Sequence, residues 1–158
     1  MVGKSCFFIG HRETSREIYP ALYAAVEQHI LEYGVTEFIV GHYGGFDRLA
    51  VSAVKEAKRF YPEAKLTLLL PYHPAERSIP TPDGFNSTFY PPGMESVPRK
   101  VAIVRANRYV VDHVDYLIAY AWHPASNARE LLEYAQRREQ KGKIAVSVLQ
   151  HNFLLAKN

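Results

Sequence analysis

One cysteine, Cys6, stands in 158 residues. A lone thiol builds neither a disulfide framework nor a cysteine-based metal site. It sits within the apolar run KSCFFI, where cysteine acts as a small buried hydrophobe, a usage that suits a reducing cytoplasm. No stretch of 18 apolar residues occurs, and the first residues lack an apolar run of signal-peptide length. Neither a spanning helix nor an export signal is therefore expected, and the expected setting is cytoplasmic with no membrane partner. An excess of one charge is also missing. The 19 Lys and Arg against 16 Asp and Glu leave +3, with no basic-aromatic stripe of the kind that holds single strands, so nucleic acid is not an expected partner. A small anion suits that balance. Long internal repeats and low-complexity segments are absent too. What is plentiful is aromatic, with 11 Tyr and 8 Phe. A hydrophobic share of 47% and a charged share of 22% are ordinary for one globular domain over 1–158.

Strand-like and helix-like patterns alternate from end to end. Apolar runs at 4–9, 36–40, 65–70, 115–121 and 143–149 read as buried strands. Helical spacing fits 15–33, closed by Gly34, and 46–60, where Phe46, Leu49, Ala50, Ala53, Val54 and Ala57 trace one stripe. Helices are also expected over 99–111, apolar nearly all round, and over about 127–141. Between Pro71 and Pro98 no period holds, and seven of the ten prolines fall there. A segment of that kind reads as a lid-like insert, with Tyr72, Phe85, Phe89 and Tyr90 either closing over a ligand or packing among themselves. The whole implies an α/β domain, a doubly wound parallel sheet covered on both faces. Ligands in such sheets bind beyond the carboxyl ends of the strands, where strand order reverses.

The segments after the strands collect the chemistry. They carry Gly10, His11 and Arg12; then His42, Gly44, Gly45, Asp47 and Arg48; then His73; then Trp122, His123, Ser126 and Asn127. Four of the seven histidines share this edge. The paired glycines permit positive φ and close backbone approach, so the following helix amides are candidates to hold an anion. The alternative is a plain tight turn with Asp47 capping the helix. Arg12 presents a fork of donors suited to phosphate, or forms a surface ion pair. No two of the histidines have metal-ligand spacing, so no metal is expected. Ser126-Asn127 opens the last helix. Glu130, three residues on, either completes a capping box or faces the cleft. Arg105 and Arg108 fall on a stripe with Val101, Val104 and Val111, and Asp112 or Asp115 is the natural counter-ion if they are not ligand-binding.

Three stretches, FFIGHR, VGHYGGFDRLAVSAV and NRYVVDHVDYLIAY, resemble the YpsA-like proteins of the SLOG superfamily, and the likeness spans nearly the whole chain outside 71–98. The superfamily also holds DNA-processing protein A and the LOG phosphoribohydrolases. The resemblance implies a Rossmann-like sheet of strand order 3-2-1-4-5, in agreement with the pattern, and a nucleotide-type ligand, such as an ADP-ribose-like molecule, between the ends of the first and fourth strands. No cofactor is expected. LOG enzymes cleave nucleoside 5′-monophosphates with a PGGxGT turn, a glutamate and an upstream arginine. Glu130 and Arg108 match that pair with a one-residue shift, but the turn here reads WHPASNARE and has no glycine. The expectation is therefore a binder that senses or sequesters its ligand, with LOG-like hydrolysis through Glu130 and Arg108 as the alternative. Association into a homo-oligomer is left open.

Overall fold

The computed structural model describes residues 3–41, 44–75 and 81–150. Six strands form one sheet: β1 (Lys4–Gly10), β2 (Val35–Val40), β3 (Lys65–Leu69), β4 (Ser87–Phe89), β5 (Tyr116–Tyr120) and β6 (Ala145–Val148). Their order is β4-β3-β2-β1-β5-β6, and every pair is parallel. Four helices connect them: α1 (Tyr19–Leu31), α2 (Gly45–Lys58), α3 (Ala102–His113) and α4 (Asn127–Gln140). A parallel strand needs a crossover and is covered on both faces, which is why β1 reads as one apolar run. Cys6 and Phe8 enter the core under α1 and α2, while Phe7 and Ile9 enter the core under α3 and α4. The result is a doubly wound, Rossmann-like α/β domain.

The expected five-strand order is present, and the Pro-rich segment adds a sixth strand at its outer edge. That segment is not structureless. β4 pairs with β3, the Leu70 amide donates to the Phe89 carbonyl at 2.8 Å, and a turn of 3-10 helix follows at Met94–Ser96. Asn86 starts the pairing: its amide donates to the Leu66 carbonyl, and its side-chain oxygen accepts from the Leu66 amide at 2.9 Å and from Lys58 Nζ at 2.7 Å. Three residues with two hydroxyls among them give no apolar run to detect. The four aromatics also part company. Phe85 packs with the core under α1 and α2, with Lys55 over its ring, whereas Tyr72, Phe89 and Tyr90 pack on the other core.

The third helix differs from its expected character. It begins with a 3-10 turn at Arg99–Val101, then runs amphipathic, burying Ala102, Ala106, Val110 and Val111. Val101 and Val104 are 39% and 48% exposed, so the buried stripe is rotated away from the expected one.

Candidate functional site

From β1 the chain winds outward through β2, β3 and β4, then returns to β5 on the other side of β1. The order therefore reverses between β1 and β5, and their carboxyl ends open a crevice. A cleft of about 330 Å³ lies there, running down between α3 and α4. Its mouth is formed by Gly10, His11, Arg12, Gly41 and Asp47, its far wall by Ile103, Val104 and Asn107 of α3, and its near wall by Ser126, Asn127, Ala128 and Leu131 of α4. A second hollow of about 300 Å³ shares His11, Arg12 and Ser126 with it and extends past Trp122 and His123. Trp122 is 59% exposed, its ring edge-on to His11 at 5.1 Å.

The glycine turn does something other than cradle an anion. The amides of Gly45 and Phe46 donate to the carbonyls of Arg12 (2.6 Å) and His11 (3.2 Å). Two first-turn donors of α2 are thus already satisfied by the loop after β1. Gly44 sits at φ +129°, and a Cβ there would meet Arg12 Cα at 2.9 Å; one on Gly45 would meet the Arg12 carbonyl oxygen at 2.8 Å. Both glycines let two backbones touch. Gly44 is the cap residue of α2, with no side-chain cap, and Asp47 lies in the first turn with its carboxylate near Gly41, not at the cap. Gly10 also has a packing cause, since a Cβ there would fall 2.1 Å from Phe46 Cγ.

The start of α4 is different. Ser126 caps the helix, its Oγ accepting from the Arg129 amide at 3.1 Å, and the Glu130 amide donates to the Ser126 carbonyl. The amides of Asn127 and Ala128 keep no hydrogen-bond partner among the described residues, and both residues line the cleft. Helix N-termini of this kind attract anions. Arg12, exposed at the mouth, forms no ion pair among the described residues. With Ser126 as cap, Arg129 takes the third helical position, so no capping box forms with Glu130. Glu130 is exposed and outside the cleft lining.

Two of the edge histidines, His73 and His123, act as turn formers. The pattern aromatic-His-Pro-Ala occurs twice, at 72–75 after β3 and at 122–125 after β5. In each copy the ring Nδ1 accepts the alanine amide, from Ala75 at 2.9 Å and from Ala125 at 3.3 Å. His11 Nε2 accepts the His123 amide at 3.0 Å. Burial, and then the neighbouring His123, push the His11 pKa below its ordinary value, which keeps that nitrogen an acceptor. Among the described residues no group of three or more His, Cys, Asp or Glu is placed to hold a metal.

Several expected residues lie elsewhere. His73 faces Tyr90 in the Pro-rich segment, no described part of which lines the cleft. Arg48 is exposed on α2 outside the lining, and Arg108 lies over the Tyr134 ring at 4.2 Å. Asp112 pairs with Arg138 at 3.3 Å, and Asp115 accepts from the Ser5 amide, so neither is a counter-ion for the α3 arginines. His42 lies outside the described residues. Ile103, Val104 and Asn107 were not legible as site residues, because the phase of α3 decides which side chains meet the cleft; Gly41, directly after β2, carries no side chain to signal its place there.

The fold and cleft define a single-sheet parallel α/β protein with a ligand-sized crevice at its strand-order switch. No protein-family model matches the chain, and no curated protein matches it significantly. Among the described residues no helix is long and apolar enough to cross a membrane.

Proposed function

We propose that this protein binds a nucleotide-derived small molecule, of ADP-ribose-like chemistry, in the carboxyl-edge cleft, and that it senses or sequesters that molecule. The reading is carried by the convergence on one cleft of the Arg12 guanidinium and the Asn127 and Ala128 amides, none of which has a partner among the described residues. Three donor sites around one opening, two of them at a helix N-terminus, are the requirements of a phosphate. Asp47 is the one carboxylate in the lining and suits a ribose hydroxyl. Ile103, Val104 and Leu131 offer an apolar wall, and Trp122 a stacking surface, for a base. The likeness of FFIGHR and the neighbouring stretches to YpsA-like SLOG proteins agrees with this ligand class. Hydrolysis is the weaker reading, since Glu130 and Arg108 stand outside the lining.

Calorimetric titration with ADP-ribose and AMP tests it. A hydrogen bond to a charged group contributes roughly 1.5–3 kcal/mol, so Arg12→Ala should weaken binding about ten- to a hundred-fold at unchanged apo melting temperature. Asn127→Pro removes one cleft amide at the first helical position, where proline is tolerated, and Ser126 already holds the extended ψ of 157° that a following proline requires. It should weaken binding beyond Asn127→Ala. Wild-type affinity in both Arg12→Ala and Asn127→Pro refutes the proposal, as does absence of binding by the wild type.

A further inference from the structure

We infer a second ligand site, on the α3 face of the sheet, that takes a small organic cation bearing N–H donors, an alkylammonium or guanidinium compound. A hollow of about 270 Å³ lies there and shares no residue with the carboxyl-edge cleft. Its floor crosses four strands through Ser5, Glu37, Thr67 and Ser87. The rings of Phe89, Tyr109 and His113 form its wall, His113 stacked on Tyr109 at 4.0 Å.

The direction of each proton on that floor can be worked out. Thr67 Oγ1 lies 2.9 Å from Glu37 Oε2, and an ionised carboxylate only accepts, so the single Thr67 proton goes to Glu37. Thr67 Oγ1 also lies 3.0 Å from Ser87 Oγ. With no proton left on Thr67, Ser87 must donate. The chain of bonds therefore runs from Ser87 to Thr67 to Glu37. The Ser5 hydroxyl donates away from the floor, to Asp115 Oδ2 at 3.4 Å. His113 Nδ1 lies 2.7 Å from the Tyr109 carbonyl, which only accepts, so Nδ1 carries a proton and its bond is made within α3. Glu37, Ser5 and Ser87 thus all present lone pairs, and none of the three offers a proton.

Charge points the same way. Glu37 is half-buried, Thr67 beside it is 3% exposed, and no cation among the described residues pairs with Glu37. Its register partner Lys65 makes no ion pair with it. A carboxylate partly removed from water, beside the oriented oxygens of Ser5, Thr67 and Ser87 and walled by aromatic rings, is complementary to a cation with several N–H groups. A neutral polyol could donate to these acceptors but would leave the carboxylate charge uncompensated, and one carboxylate is too few for a hard metal ion.

The test uses the full chain, ¹⁵N-labelled, titrated at low salt with putrescine and with agmatine. Saturable amide shifts should centre on Ser5, Glu37, Thr67, Ser87 and His113. Glu37→Gln, whose amide oxygen can still accept the Thr67 proton, should stay folded and bind at least ten-fold more weakly. Ser87→Ala should lose a smaller factor and serves as a second variant should Glu37→Gln unfold. Tetramethylammonium has the charge without the donors and should bind at least ten-fold more weakly than putrescine, while 1,4-butanediol should give no saturable shift. The inference is overturned by shifts that never saturate or that scatter over other acidic residues, by equal affinity in Glu37→Gln or, where that variant unfolds, in Ser87→Ala, or by tetramethylammonium or butanediol matching putrescine.

Discussion

Adding one methyl group at Gly10 should destabilise the empty protein. The new Cβ would fall 2.1 Å from Phe46 Cγ, 2.4 Å from Cδ2 and 2.5 Å from Cβ. Carbon atoms rest at about 3.5–4.0 Å, so Phe46 has to retreat by more than an ångström. It has nowhere to go. Its side chain is fully buried, and its backbone is held where the Gly45 and Phe46 amides donate to the Arg12 and His11 carbonyls. Retreat either breaks those bonds or drives the ring into the core beside Tyr120, whose ring centre is 6.3 Å away. Overpacking of a filled core costs about 1–3 kcal/mol, and the rooted position of Phe46 argues for ~3 kcal/mol. At ~2–4 °C per kcal/mol for a domain of this size, Gly10→Ala should melt about 6–12 °C lower. Urea unfolding of a double-mutant cycle isolates the cause. Phe46→Ala removes two of the three contacts and leaves the Cβ, so Gly10→Ala should cost less in that background by about 1–2 kcal/mol. A loss below ~0.5 kcal/mol in the wild-type background refutes the packing account and returns Gly10 to a role in ligand approach alone.

Asn86→Ala should leave the buried Leu66 amide without its acceptor, at a cost of roughly 1–3 kcal/mol, and free β4 from the sheet edge. Hydrogen exchange at the Leu70 amide, which bonds to Phe89, should accelerate, and unchanged exchange there would separate Asn86 from the strand. His29 is fully buried with Nδ1 2.6 Å from the Ala25 carbonyl, and burial lowers its pKa below 6.5. Its neutral form therefore adds stability that is fully present above pH 6.5 and lost as pH falls through the folded pKa, with a slope of at most about 1.4 kcal/mol per pH unit, and His29→Phe should remove that portion of the acid slope in urea unfolding from pH 8 to 4.

The sheet was legible because strands buried on both faces announce themselves: KSCFFI and DYLIAYA need no partner to be recognised. β4 was not, because an asparagine side chain, not an apolar run, anchors its start to β3. The misplaced features all turn on one residue of phase or on a contact far along the chain. Moving the α4 cap from Asn127 to Ser126 takes Glu130 out of the capping box. Rotating α3 by about one residue exposes Val104 to the cleft and lays Arg108 on Tyr134. The glycines at 44 and 45 signalled close approach correctly, but what approaches is the backbone of Arg12, more than thirty residues earlier.

That last contact changes how the carboxyl edge divides its tasks. An arginine whose carbonyl holds the start of α2 has a fixed backbone, so its guanidinium swings from a rigid base at the cleft mouth. His11 is held at the same loop by its carbonyl bond to Phe46 and joins β1 to the turn after β5 through the His123 amide. His73 and His123 close the turns after β3 and β5. His11, His73, His123 and the glycines thus build the edge, and among the described residues no group claims the donors of Arg12 and the first amides of α4. Under the proposed reading, a site of this construction is preorganised on its backbone side, and only one long side chain has to be ordered when an anion arrives.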